Sequence, residues 1–293
     1  MPSLRLLIVA CAASFAVLAH AMPATASPYG KKSSPVFDEG QVILFEDDFS
    51  SGKLSKKWRL AINDQNNHHV PGLETKDRLE VVPAPGMPKG AKAFRAVVPR
   101  ALGSFRSELA LSSEDGFQER WYAARVQVSK DWVFDTNAGN DIVLQWHAVM
   151  GKERVGRDFP PLSISVKNDS WKISRAFGAP ADIQTDTKTL EEKVEKGKWV
   201  DWVLHVKWSS GEDGFLEIWK DGKAVWEVKG PNTYLMRAHT PYFKTGIYHP
   251  TWKVKDKEGF DREALIIPSK TVYITDIKVG SVRADYRIMA PPL

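Results

Sequence analysis

From Gln41 to the C-terminus, short runs rich in Val, Ile, Phe, Tyr and Trp alternate with clusters of Gly, Asn, Asp and Pro. β-Branched and aromatic side chains suit a pleated, half-buried surface, and the punctuating clusters turn the chain, so this pattern predicts many antiparallel strands. Strands are expected at 121–128, 141–147, 162–167, 202–207, 214–220, 243–248 and 271–279. Asp221-Gly222, between two apolar runs, predicts a two-residue hairpin. The one helix-like stretch is 187–195, inside a polar insert. With no fixed-period repeat and no linker, residues 41–286 read as one all-β domain, a two-sheet antiparallel jelly-roll sandwich (concanavalin A-like) with a concave groove. Trp199, Trp202, Trp208, Trp219 and Trp226 are expected mostly in its core.

The ends carry different signals. Arg5, an apolar run over 6–18 and the small-x-small sites Ala19-His20-Ala21 and Ala24-Thr25-Ala26 predict a secretory signal peptide over 1–26, hence a secreted or periplasmic protein. The sole cysteine, Cys11, lies inside it, after too short an apolar run for a lipoprotein site. The mature chain would then have no disulfide, cysteine nucleophile or zinc-thiolate site. Residues 27–40 read as a disordered arm and 287–293 as a tail. No segment beyond the leader approaches the roughly 18 to 20 apolar residues of a membrane-spanning helix, so no membrane partner is expected. The formal charge of +5 becomes +4 without Arg5. That excess favours an anionic partner without naming one.

Three of the expected strands place polar residues at i, i+2 spacing, which puts both side chains on one face of a sheet. Arg106 and Glu108 share a face in Arg106-Ser107-Glu108-Leu109, as do Gln145 and His147 in Gln145-Trp146-His147. Lys244 and Tyr248 do so in Tyr242-Phe243-Lys244-Thr245-Gly246-Ile247-Tyr248, where Gly246 is read as leaving room for a ligand. Each pair alone is compatible with an ordinary ion pair or a satisfied interior histidine. Together they describe a cationic, hydrogen-bonding trough suited to a carboxylated sugar.

The order R-S-E-L, Q-W-H and Y-F-K-x-G-x-Y resembles the three motifs of jelly-roll polysaccharide lyases. The similarity is nearer the heparin lyase and glucuronan lyase type than the alginate lyases, through Gln-Trp-His, Pro160-Pro161-Leu162, the 197–208 segment and the 214–222 hairpin. It extends over about residues 49–279. His249-Pro250 replaces the Arg or Lys common after the tyrosine in the heparin type, which speaks against sulfated substrates.

The resemblance implies β-elimination on a 4-linked uronate: the C5 proton is removed and the C4 oxygen expelled. Arg106, Gln145 and His147 are expected around the C6 carboxylate, with Glu108 holding Arg106. Tyr248 is expected to carry protons, with Lys244 and Arg106 favouring its phenolate. In glucuronate or mannuronate both groups leave from one side and Tyr248 serves as base and acid. In iduronate or guluronate His147 would be the base and Tyr248 the acid. The expected substrates are glucuronan or another glucuronate-rich glycan, then alginate, then heparin-like chains, cut internally by a monomer. No cofactor is required for catalysis.

Secondary expectations are Glu108, Tyr242, His68, His69 and His249 as substrate-binding residues, with His239 also near the groove. The insert 178–198 and the basic loop 252–270 are expected as groove walls, and His205 as structural. Glu46, Asp47, Asp48 and Asp276 resemble a structural calcium site, with a solvated acidic turn as the plainer reading of the same residues. A glycoside hydrolase would need a close carboxylate pair, which the basic stripe does not provide. A non-catalytic glycan-binding module would use the same trough without needing Tyr248 beside Lys244. Nucleic acid is disfavoured, because no basic run is interleaved with exposed aromatics.

Overall fold

The computed structural model describes residues 37–62, 78–101, 103–134, 140–148, 159–179, 181–235, 239–253 and 267–291. The expected leader, most of the arm, His68, His69 and most of the basic loop lie outside the described residues.

Two large antiparallel sheets face one another, as the alternating pattern predicts. The first contains β1 (Ile43–Asp47), β3 (Leu79–Pro83), β4 (Lys92–Pro99), β7 (Glu119–Val128), β12 (Trp199–Lys207), β13 (Phe215–Lys220), β14 (Lys223–Lys229) and β17 (Ser269–Gly280). Its order is β14-β13-β12-β7-β17-β4-β3, with β1 also on β17. The second contains β2 (Arg59–Ile62), β5 (Arg106–Ala110), β8 (Asp141–His147), β9 (Leu162–Lys167), β10 (Ser170–Ala179), β11 (Asp182–Lys193) and β16 (Tyr242–Tyr248), in the order β11-β10-β9-β8-β16-β5-β2. A short ribbon pairs β6 (Glu114–Asp115) with β15 (His239–Thr240).

The core fills the space between the two sheets. Trp146 on β8 meets Tyr122 on β7 edge to face at 5.2 Å, and Trp171 on β10 meets Trp202 on β12 in the same way at 5.5 Å. Such pairs add to the burial of two large rings and fix the sheet spacing. Of the clustered tryptophans, Trp202 and Trp208 are fully buried, whereas Trp199, Trp219 and Trp226 are partly covered. The hairpin at Asp221-Gly222 forms as read, with φ of 48° and 82°, the double positive φ of a type I′ turn.

Three expectations are corrected. Residues 187–195 are not helical: β11 runs to Lys193 as an edge strand. Thr185, Thr187 and Thr189 alternate with Asp186, Lys188 and Leu190, and this period of two, paired along β10, overrides the helical preference of Lys and Glu. At the arm's end, Phe37 joins the core and Glu39 ion-pairs with the buried Arg120, so order begins before Gln41. The tail starts as a helical turn, α1 (Tyr286–Met289), capped by Asp285 accepting from Ile288 N. Met289 is fully buried in a small apolar cluster with Trp121 on the outer face of the first sheet.

Candidate active site

β8, β16 and β5 are neighbours in the second sheet, so side chains far apart in sequence meet by register. Directly opposed residues of antiparallel strands share a face. Tyr242 is opposite His147 and Lys244 opposite Gln145; on the other side of β16, Gly246 is opposite Glu108 and Tyr248 opposite Arg106. Arg106, Gln145, His147, Lys244 and Tyr248 therefore all stand on the face turned away from the core. Leu109, Leu144, Trp146, Phe243 and Ile247 point into the core.

Glu108 is the hub. Its Oε2 accepts from Lys244 Nζ at 2.6 Å, its Oε1 accepts from Gln145 Nε2, and Arg106 Nε stands 3.1 Å from Oε2. The last contact is an ion pair without hydrogen-bond geometry. The guanidinium instead lies over the Tyr248 ring, 4.7 Å from its centre. Only 1% of Glu108 is exposed. It therefore positions Arg106, Lys244 and Gln145 rather than binding sugar itself.

Arg106 is also fixed from beneath. The fully buried Arg78 donates from Nη2 to Arg106 O at 2.7 Å and from Nε to Ser107 Oγ at 3.1 Å. Burial pulls the Arg78 guanidinium down to about 10, still charged at neutral pH. No motif signals Arg78, because only the fold brings it under β5.

The titrations differ from expectation at the phenol. Burial pushes Tyr248 up, and neighbouring Arg106 offsets this only in part. Lys244, expected to favour the phenolate, donates its ammonium to Glu108. Burial draws Lys244 itself below the usual ammonium range, with Glu108 opposing. The resting phenol is thus protonated. His147 is pulled down to about 4, chiefly by burial, with Lys244 and Arg106 adding to the effect. Its Nδ1 lies 2.9 Å from Ala148 O. A carbonyl only accepts, so Nδ1 carries the proton and Nε2 keeps a free lone pair.

Tyr242 joins this face, its ring 5.7 Å from that of His147. Arg59 on β2, which no sequence motif singled out, lies 5.4 Å from the centre of the Tyr242 ring. Burial raises the Tyr242 phenol and Arg59 opposes this.

Gly246 has a different role from the one read in the sequence. Its φ is +135°, and a Cβ there would come within 2.2 Å of Ser107 O and 2.7 Å of Glu108 Cα. A bulge against β8 between Thr245 and Tyr248 accompanies it. Glycine lets β16 press against β5; it does not open space for a ligand. Gly246→Ala is expected to cost roughly 2–5 kcal/mol from the disfavoured backbone and the collision, read as a lowered melting temperature with loss of activity.

Other expected residues fall elsewhere. His249 is fully buried, its Nδ1 bonded to Asp141, whose other oxygen is 3.0 Å from Lys270 Nζ. It anchors the end of β16 behind the sheet and does not reach the groove. His239 sits on the β6–β15 ribbon 3.2 Å from Asp115. His205 is structural as read, stacked on Trp121 at 4.0 Å between Glu119 and Glu217.

The carboxylates of the acidic turn have partners within the fold. Asp47 accepts from Phe49 N and Trp58 Nε1, Asp48 accepts from Ser50 N, and Asp276 is 3.4 Å from Arg125. Among the described residues, no three His, Cys, Asp or Glu side chains converge to hold a metal.

Known proteins share this fold. The fold is similar to the crystal structure of an endo-beta-1,4-glucuronan lyase from the fungus Trichoderma reesei, with a TM-score of 0.60 and 21% identity over 79% of this chain and 98% of that one. It is also similar to the cellulose induced protein Cip1, with a TM-score of 0.51 and 15% identity over 82% and 98% of the two chains. For alginate lyase A1-II′ the values are 0.50 and 14%, over 84% and 100%. No curated protein sequence matches. A family model described as "Polysaccharide lyase" matches residues 49–278, a span that takes in every strand of the site, and the chain belongs to that family: it is a polysaccharide lyase.

Proposed function

We propose that this protein is an exported lyase that cleaves glucuronan, or another glucuronate-rich 4-linked glycan, at internal bonds by β-elimination. The observation that carries this reading is the Glu108 hub, which holds Arg106, Lys244 and Gln145 on one face between two phenols and a neutral histidine. The likeness to an endo-beta-1,4-glucuronan lyase supports the choice of polymer. The leader-like residues 1–26 support export.

The chemical obstacle is electrostatic. A C6 carboxylate resists the further negative charge that develops when C5 loses its proton, so that charge must be met by oriented donors. Arg106, held by Glu108 through its Nε side, and the second N–H of Gln145 are the donors for this carboxylate. A fixed donor of this kind is typically worth about 3–4 kcal/mol in the transition state. Tyr248 then takes the C5 proton and returns one to the C4 oxygen, as the same-side geometry of glucuronate allows.

A raised phenol makes this base scarce at neutral pH, which gives the proposal a sign. The phenolate fraction grows about tenfold per pH unit below its pKa, so kcat/KM on glucuronan should climb steadily from pH 6 to 9. No inflection is expected near 6.5, because His147 is already neutral above about 4.

A second reading rests on the free Nε2 of His147. With His147 as base and Tyr248 as acid, the preferred polymers would be those of guluronate or iduronate. A pH–rate profile on purified glucuronan, mannuronan, guluronan and heparin, followed by the absorbance of the new C4=C5 double bond, separates the two. A rising profile with glucuronan fastest supports the first reading. A flat profile with guluronan or heparin fastest replaces it with the second.

A further inference from the structure

The catalytic face continues beyond the three motif strands, and its two ends have a chemistry of their own. Along one register row Arg59 on β2 is followed by Ala110, Lys244, Gln145, Ser163 and Ser174. Along the adjacent row Arg106 is followed by Tyr248, Ile142, Ser165 and Lys172. Lys172 on β10 therefore stands on the same face as Arg59, five strand spacings away, roughly 24 Å at about 4.8 Å each. That distance spans several sugar rings.

Several basic groups of this sheet are already paired with acids. Lys244 is neutralised by Glu108 and Arg175 by Asp186. Among the described residues, Arg59 makes one hydrogen bond, to Leu111 O, and Lys172 has no acidic partner. The field of another cation, Lys167, on the same face of β9, acts on Lys172. Burial and this repulsion both draw its ammonium down, so the site is short of negative charge. Between Lys172 and the hub this face carries the partly exposed Ser174 and the buried Ser163 and Ser165, the last donating to Lys172 O, and, among the described residues of β9 and β10, no carboxylate. Hydroxyls with unneutralised cations suit a run of hydroxylated, carboxylated rings.

We infer that Arg59 and Lys172 are specificity residues at opposite ends of the groove, each receiving the carboxylate of a uronate outside the cleaved linkage. The polymer then crosses the strands from β2 to β10, and the groove discriminates long acidic chains from short or neutral ones. This inference rests on the reading that the face around Glu108 binds a uronate polymer.

Binding separates it from turnover. In the Tyr248→Phe background, a glucuronate hexamer, a glucuronate disaccharide and the carboxyl-reduced hexamer are titrated by calorimetry into the parent protein and into proteins also carrying Lys172→Gln or Arg59→Gln. The expected result is a 5- to 20-fold weaker Kd for the acidic hexamer with either change, with restoration toward parent affinity by Arg59→Lys. The disaccharide should be affected less than twofold, and the neutral hexamer should bind poorly to every variant. Unchanged hexamer affinity in both Gln variants with unaltered melting temperatures overturns the inference, as does an equal loss for hexamer and disaccharide. Failure of the parent reading is seen independently, as absence of unsaturated product from wild-type protein on every polyuronate.

Discussion

Glu108→Gln is expected to lower stability by about 3–5 kcal/mol, because removing one partner of a buried ionic cluster leaves the other charges uncompensated. Lys244 is 4% exposed and loses the one carboxylate it meets among the described residues, while Gln145 loses an acceptor of full charge. At roughly 2–4 °C per kcal/mol for a domain of this size, the melting temperature should fall by about 6–20 °C. Lys244→Met in the same chain should recover part of the loss, since it removes the orphaned ammonium. Activity should not return with stability, because Arg106 and Gln145 would still lack their anchor. A Glu108→Gln protein that melts like wild type would show that the hub does not hold this face together.

Tyr248→Phe is expected to reduce kcat on glucuronan by a factor of about 10²–10⁴, the usual contribution of a positioned proton-transfer group. The ring still fills its place against Phe105, at 6.0 Å, and under the Arg106 guanidinium, so the fold and substrate affinity should be kept. KM should therefore change far less than kcat. A drop of less than threefold in kcat would remove Tyr248 from the proton-transfer step and leave His147 to explain it.

The sandwich was legible because its interior strands combine a period of two with large β-formers, as in Trp121 to Val128 and Asp141 to His147. β11 was not, because an exposed edge strand keeps the period but is made of Thr, Lys, Glu and Asp, whose composition also suits a helix. The site's face could be read from i, i+2 spacing, since parity is local. Which pairs would touch could not: Glu108 and Lys244 are 136 residues apart in sequence and meet only because β5 adjoins β16.

Parity also explains the error at His249. It follows Tyr248 directly, so the two side chains leave on opposite sides, and the buried bond to Asp141 is where that alternation leads. Gly246 misled for another reason, since a sequence carries neither the φ of a residue nor the backbone that faces it. Burial likewise decides the charge state of Tyr248, and it outweighs the cations on which the motif alone would rely. Arg59 and Lys172 stood in no motif; only register places them on the groove face.

The most direct test of the account is stoichiometric. Mature wild-type protein is incubated with purified glucuronan, and new reducing ends are counted against unsaturated uronate ends measured by ultraviolet absorbance. Elimination through the Arg106–Gln145–Tyr248 face should yield one double bond for each new reducing end from the earliest time points. Reducing ends that accumulate without matching absorbance would mean that water, and not loss of the C5 proton, breaks the chain, and would contradict it.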